Sequence, residues 1–485
     1  VGRLDEPSAG VGLPPLAGCA GRGAHDSSGC ADLQGCAVAD GRLGVDGGHG
    51  PAAILHHGIN QAGATTIMNV LAVNSGSSSL KFKVVEFDNS ADAAAHRHPS
   101  IRYEGSVEAI GPAAKLLLSC DGKTVAQTIE NVSTHAEAVQ RLMQMLEQSS
   151  KLEGRDPSIH AVGHRVVHGG EQFREPVVIN DHVMAAIDRL VELAPLHNPG
   201  SIAGIEGARA VLGSHIPMVA VFDTAFHRSM PLVATSYAID QDLAKKHGIR
   251  RYGFHGIAHA SMAGACAAAV NRPLASLRLI TLQLGNGCSA TAIDRGRSVD
   301  TSMGFTPLEG LVMGTRSGDL DPAVVGHLMR RKGLSVDEVE RFLNERSGLL
   351  GLSGLSRDMR ELLNAAEDKP DSRAALALDL FCYRVRKYIG SYLAVLGGAD
   401  ALVFGGGIGE HAPAIRARIC ERMDWCGLRL DLVHNEAARE IAPGDATQIS
   451  EEGAPLACYV AGVDEEVEIA RATLECVRKG QSGDP

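Results

Sequence analysis

The sequence has no run of about 18 uncharged apolar residues, the length a helix needs to cross a bilayer, so nothing in it reads as a membrane span. It also has no basic face. The formal net charge is −11 and no run of Lys or Arg exceeds three residues, which argues against a nucleic-acid surface. Its eleven cysteines, Cys120, Cys266, Cys382 and Cys476 among them, fall without CxxC or Cys/His spacing. Neither a zinc site nor a disulfide framework is indicated, and a reduced, cytoplasmic setting fits. A secretory signal is not expected either, because residues 1–67 show no basic stretch followed by an apolar core. What those residues have is glycine, 15 of them, and no hydrophobic periodicity. Such a segment cannot bury enough apolar surface to offset its ordering entropy. It is expected to be a disordered extension ahead of a natural start at Met68.

Past that leader the chain is ordinary in composition, with 45% hydrophobic and 21% charged residues, and its 485 residues exceed what one core usually holds. Two domains are therefore expected. Short apolar runs predict strands at 70–73, 81–87, 160–167, 218–222, 278–284, 289–293, 401–404 and 457–460. Helical periodicity predicts helices at 135–149, 181–193, 202–212, 259–270, 322–331, 372–396 and 464–477. Another helix, over 336–346, opens on the capping box Ser335 and Glu338. Strands interleaved with helices in this way mean an α/β architecture with mixed or parallel sheets. Two stretches, Val73 to Ser79 and Leu282 to Ser289, read as strand–turn–strand hairpins with small polar tips, a hint of internal duplication. Facing each other across a cleft, they could grip one polyphosphate from both sides.

An acidic protein that binds anionic ligands must gather positive charge locally, so arginines and lysines within glycine-rich motifs carry the argument. Asn74-Ser75-Gly76-Ser77-Ser78-Ser79-Leu80-Lys81 joins small hydroxyls, approachable backbone and a cation at a strand turn, as a phosphate loop requires. Arg165 lies in the β-forming run Gly163-His164-Arg165-Val166-Val167-His168-Gly169-Gly170, where an unpaired charge would be costly. An arginine fork matches a carboxylate or phosphate. Asp223 ends the apolar strand Met218 to Phe222, where α/β folds place functional groups. His255 stands between glycines in Tyr252-Gly253-Phe254-His255-Gly256. The run Gly304 to Pro322 is too rich in glycine and proline for a regular element, and Arg316 is its natural anion contact. Leu402-Val403-Phe404-Gly405-Gly406-Gly407-Ile408-Gly409-Glu410 reads as a buried strand opening into a glycine turn on which a nucleoside could lie. Any one of these histidines or glycine clusters is more often structural, and their number is what argues for a site.

Taken in order, the runs NSGSSSLK, HRVVHGGE, PLHNP, VFDTAFH, RYGFHG, LGNG, GFTPLEGLVMGTRSGDLDP, GLSRDMR, FGGGIGE and VDEE resemble the acetate kinase family over essentially all of 68–477. The resemblance implies the fold shared by sugar kinases, actin and chaperone ATPases, two ribonuclease H-like α/β domains closing over ATP. These would comprise residues 68–225 plus 466–485, and 226–465. It implies reversible transfer of the ATP γ-phosphoryl group to acetate, with Mg²⁺ (Mn²⁺ as the alternative ion) and a homodimer in the cytoplasm. By the same resemblance Asn74 and Glu465 hold the metal, and Asp223, His255 and Arg316 are catalytic. Arg165 and His197 bind substrate, with Val167, Leu196, Phe254 and Pro307 around its methyl group. ATP contacts fall on Ser77, Ser79 and Lys81, on Gln283, Gly285, Asn286 and Gly287, and on Asp358, Met359 and Arg360. The remainder are Gly407, Ile408, Gly409, Glu410 and His411.

Some positions depart from that pattern. Gln283 stands where a histidine is usual, Ile257-Ala258 where Thr-Ser is commoner, Met359 where an aromatic is frequent and His411 where asparagine is usual. Three other readings are a propionate or broad short-chain carboxylate kinase, a non-catalytic nucleotide switch of the actin or chaperone type, and a pyrophosphate-using variant. The open glycine turn disfavours the last.

Overall fold

The computed structural model describes residues 67–482, apart from 77–78, 89–98, 154–157, 196 and 371. The leader up to residue 66, with its expected disorder, lies outside the described residues.

Two sheets organise the chain. The first has eight strands, β1 (Ile67–Ser75), β2 (Ser79–Asp88), β3 (Ser100–Glu108), β4 (Gly111–Cys120), β5 (Lys123–Val132), β6 (Ala161–Val166), β7 (Val177–Val178) and β8 (Met218–Phe222), in the order β5-β4-β3-β2-β1-β6-β8-β7. The second has six, β9 (Arg278–Leu284), β10 (Cys288–Asp294), β11 (Arg297–Thr301), β12 (Ala401–Gly405), β13 (Ala446–Gln448) and β14 (Ala457–Ala461), in the order β11-β10-β9-β12-β14-β13. Without β4 and β5 the two patterns coincide. Each is an antiparallel three-strand meander, then two strands added parallel to its first, then an antiparallel edge. The duplication that the two hairpins hint at therefore extends to the whole topology.

Each sheet is covered on both faces, as its apolar strands require. On the first, Val73, Val84, Leu116 and Val162 pack with Val139, Leu142 and Leu146 of helix His135–Glu153. The opposite face, Val70, Ala72, Val85 and Val219, packs with Ile469, Ala470 and Leu474 of the C-terminal helix Glu465–Ser482. In the second sheet Ile280, Leu282 and Leu402 meet Leu378, Phe381 and Val385 of helix Arg373–Leu396, while Leu279, Val403 and Ala461 meet Met262 and Cys266 of helix Gly256–Ala269.

Strands β3 and β5 escape the sequence reading because Arg102 and Glu104 in the one and Lys123, Gln127 and Glu130 in the other interrupt their apolar residues, whereas β4 is missed although it carries the run Leu116-Leu117-Leu118. The expected glycine turn at 405–409 is instead a short helix, Gly406–His411. Glu410 Oε1 accepts from the Gly406 amide at 3.0 Å, satisfying an otherwise free helix donor from within. Ser335 and Glu338 form the reciprocal cap of helix Val336–Glu345, with Ser335 N donating to Glu338 Oε2 at 2.8 Å. Ser335→Ala is expected to cost about 1 kcal/mol, read as a lowered midpoint in urea at unchanged slope.

Candidate active site

The parallel strands β1, β6 and β8 end side by side, and their ends carry Asn74, Arg165 and Asp223. Arg165 Nη2 donates to Asp223 Oδ2 at 2.8 Å, Nη1 to Asn74 Oδ1 at 3.4 Å, and Nε lies 3.6 Å from Glu465 Oε2. The charge within a β-run is thus paired, as burial demands. Asp223 is buried; desolvation alone would raise its carboxyl, but Arg165 and His255 hold it below the usual carboxylate range. Glu465, the first residue of the C-terminal helix, is pushed up to about 7 by burial against the pull of Arg165. Two residues of the VDEE run that were given no role beside Glu465 steady this corner. Glu466 accepts from Asn74 Nδ2 at 3.1 Å, and Asp464 pairs with Lys83 while accepting from Val467 N.

His255 caps helix Gly256–Ala269 in the left-handed region, φ 58°, a conformation that costs a non-glycine residue about 1–3 kcal/mol and tends to occur at functional sites. Asp223 holds it there: its Oδ2 accepts from His255 N at 3.0 Å and its carbonyl from Gly256 N at 2.8 Å. A Cβ on residue 256 would stand 2.3 Å from that carbonyl, so only glycine fits. The imidazole reaches the turn between β9 and β10. A Cβ placed on Gly287 would lie 3.2 Å from His255 Nε2 and 3.6 Å from Arg316 Nη1. Burial, with Arg165 and Arg316 nearby, pushes His255 and His197 each down to about 4, so both are neutral near pH 7.

Arg316 is partly buried and donates to the Pro307 carbonyl at 3.2 Å, yet has no carboxylate partner among the described residues. Burial and repulsion from Arg165 both lower its pKa. A cation left without an anion beside a second cation is a site prepared for an anionic ligand. Val167 and Phe254 are buried in one cluster with Leu311, Val312 and Met313, and Pro307 is half-buried, giving an apolar wall next to the guanidinium groups. Leu196 and Ser77 lie outside the described residues.

A cleft of about 1190 Å³ opens beyond the two hairpin tips. Ser79 and Lys81 of the first and Gly285 and Asn286 of the second line it, as do Asp358, Met359, Arg360, Gly407, Ile408 and His411. Asp358 caps helix Met359–Asp368 and pairs with Arg360, which holds its carboxyl down at about 2. Four expected nucleotide contacts are placed elsewhere. Gly287 faces His255 and Arg316, and Gln283 packs behind Gly406. The Glu410 carboxylate turns inward onto the Gly406 and Val463 amides, and Gly409 lends its carbonyl to Arg416. The cleft in turn includes Glu436 and Arg439, from and just after helix Leu432–Ala437, for which no motif gave a signal.

Near Arg165, Asn74 Oδ1, the Glu465 carboxylate and Asp223 Oδ1, a buried oxygen with no hydrogen-bond partner among the described residues, form the oxygen donor set that suits Mg²⁺ when phosphates complete its shell.

The acetokinase family model matches residues 69–471. The chain belongs to the acetate kinase family. An acetate kinase from Solibacter usitatus is 48% identical over 420 residues, covering 84% of this chain and 98% of that one, and one from Clostridium beijerinckii is 44% identical over 414 residues, covering 85% and 100%. Among solved structures, Porphyromonas gingivalis acetate kinase superposes with a TM-score of 0.76 at 37% identity over 84% of this chain and 100% of that one. A propionate kinase from Francisella tularensis gives 0.75 at 37% identity over 84% and 99%. The fold is accordingly that of acetate and propionate kinases, the sugar kinase and actin-like α/β architecture with paired ribonuclease H-like sheets. No helix among the described residues is long and apolar enough to cross a membrane.

Proposed function

We propose that the protein transfers the γ-phosphoryl group of ATP directly to acetate, reversibly, giving acetyl phosphate and ADP. The observation that carries this reading is Arg316, a partly buried cation without a carboxylate partner among the described residues, converging with His255 on the Gly287 turn beside the cleft. Transfer between two anions needs positioning and charge neutralisation more than covalent help. The acetate carboxylate, held by Arg165 with its methyl group against Val167, Leu196, Phe254 and Pro307, forms the new O–P bond as the bond from the γ-phosphorus to the ADP oxygen breaks. His197 adds a neutral contact beside that carboxylate. His255 and Arg316 stabilise the equatorial oxygens in the transition state. No proton moves, because the nucleophile is already a carboxylate, and Asp223 serves to orient Arg165 and His255. Asn74, Glu465 and Asp223 would hold Mg²⁺, which when bound offsets charge on the phosphate oxygens. Ser77, Ser79, Lys81, Gly285 and Asn286 grip the polyphosphate, while Asp358, Met359, Arg360, Gly407, Ile408 and His411 take the nucleoside. Residues 68–225 with 466–485 make one domain and 226–465 the other, in a cytoplasmic homodimer.

A propionate kinase matches as well as an acetate kinase does among the solved structures, so chain length is the open specificity. One methylene in an apolar pocket is worth about 1–3 kcal/mol. The test is a hydroxamate assay of acyl phosphate from acetate, propionate and butyrate. Acetate is expected to give the highest kcat/KM, and a higher value for propionate would reassign the substrate. Nucleotide binding without any acyl phosphate would instead make the protein a switch.

Gln283 has the neutral amide where the family more often has imidazole, and its Oε1 is buried with no hydrogen-bond partner among the described residues. Gln283→His is expected to maintain or raise kcat, because the amide packs behind Gly406 outside the cleft lining and its buried Oε1 has no partner to lose. A large loss in the same assay would show that the amide itself has become part of the site.

A further inference from the structure

Behind His255 runs a chain of hydrogen bonds that the transfer step does not use. His255 Nδ1 lies 2.8 Å from Ser289 Oγ, Ser289 Oγ 2.7 Å from His259 Nε2, and His259 Nδ1 2.7 Å from Thr281 Oγ1. His259, Ser289 and Thr281 are fully buried, and they come from three elements, helix Gly256–Ala269, β10 and β9.

A neutral imidazole has one N–H and one lone pair, and a hydroxyl has one proton, so the chain has two continuous directions. A third arrangement, in which both imidazoles donate to Ser289 Oγ, leaves the buried Ser289 hydroxyl proton without an acceptor among the described residues. In the first, Thr281 O–H donates to His259 Nδ1, His259 Nε2–H to Ser289 Oγ, and Ser289 O–H to His255 Nδ1. That order leaves His255 Nε2 carrying a proton. In the second, every donor and acceptor exchange places, and His255 Nε2 presents a lone pair.

Both ends favour the first direction. At the outer end, Nε2 faces the Gly287 turn beside Arg316, where an anionic phosphoryl group is attracted by an N–H and repelled by a lone pair. At the inner end, the reversed order leaves the buried Thr281 hydroxyl proton without an acceptor among the described residues, whereas the forward order leaves only an unused oxygen lone pair. An orphaned buried donor is the costlier defect. His227 does not compete, since its Nε2 lies 2.9 Å from the Phe254 carbonyl, which can only accept, and its Nδ1 takes the Ser298 hydroxyl. His259, enclosed between the Thr281 and Ser289 hydroxyls, is kept neutral by its burial.

We propose that Thr281, His259 and Ser289 are positioning residues forming a one-way relay that fixes His255 as its Nε2–H tautomer. The catalytic consequence rests on the transferase reading, but the tautomer does not, and the two are separable by experiment. In ¹⁵N-histidine-labelled enzyme with Mg-ADP at neutral pH, His255, assigned by its absence in His255→Asn, is expected to show a protonated Nε2 and a bare Nδ1. Thr281→Val, close to isosteric, removes the donor that makes reversal costly. It is expected to give mixed His255 tautomers and to lower kcat about tenfold at unchanged KM for ATP and acetate, with Thr281→Ser restoring both. Ser289→Ala, which cuts the chain one bond nearer the site, repeats the test should Thr281→Val be unstable. A protonated Nδ1 on His255 in the wild-type protein, or severed relays that leave tautomer and kcat unaltered, would overturn the proposal. Absence of acyl phosphate formation would remove the transferase reading and leave the tautomer measurable.

Discussion

Arg316→Ala is expected to lower kcat for acyl phosphate formation by about 10³-fold or more, with the KM for ATP nearly unchanged, in line with removal of a cation that acts on a transferring phosphoryl group. The split follows from position. Arg316 meets His255 at the Gly287 turn and is absent from the lining of the cleft assigned to the nucleotide. Its charge is therefore felt where the phosphorus changes partners and only weakly by bound ATP. Arg316→Lys should recover a small part of the rate, because a point charge cannot reproduce a planar fork held by the Pro307 carbonyl. Equal losses in kcat and in ATP affinity would place Arg316 on the nucleotide instead.

The largest effect on stability is expected at Arg416, a fully buried arginine with no carboxylate partner among the described residues. It donates to the carbonyls of Gly409 at 2.8 Å, Glu410 at 2.7 Å, Asn435 at 2.5 Å and Ala438 at 2.8 Å, and to Asn435 Oδ1 at 2.8 Å. Without a nearby anion, burial depresses its pKa to about 10, still high enough to stay charged at neutral pH. Arg416→Met leaves these acceptors buried and unpaired, a defect worth about 1–3 kcal/mol for each group that water cannot reach. A loss of about 4 kcal/mol is expected, roughly 10 °C in the melting temperature of that part of the molecule. Because the segments it ties carry Gly407, His411, Glu436 and Arg439 of the cleft wall, the KM for ATP should rise while acetate KM holds. A melting curve that overlays the wild-type one would show that the acceptors find other donors.

How much of this was legible in the sequence depends on whether a residue conflicts with its local surroundings. Arg165 could be read because a charge inside a β-forming run needs a partner, and Asp223 provides one. Arg316 could be read because its flanking glycines and prolines exclude a regular element, and none forms between 302 and 322. Both hairpins were readable from their polar tips. Arg416 gave no such signal, since an arginine in a helical stretch ordinarily faces water and only the fold buries it. Likewise Thr281, His259 and Ser289 look unremarkable one at a time, being joined only when β9, β10 and helix Gly256–Ala269 pack together. The glycines at 405–409 suggested an open turn, but Glu410 folds back to satisfy the Gly406 amide and makes a helix instead. That compensation spans only four residues, but it runs from a side chain to the backbone, and counting glycines carries no term for it.

The central claim is that Arg165 and Arg316 hold two anionic reactants end to end, and the most direct measurement is hydroxamate formation from ATP, Mg²⁺ and acetate by wild type, Arg165→Ala and Arg316→Ala. The account predicts rapid acetyl phosphate formation by the wild type, a KM for acetate raised chiefly in Arg165→Ala, and a kcat lost chiefly in Arg316→Ala. Wild-type rates retained in both variants would contradict it.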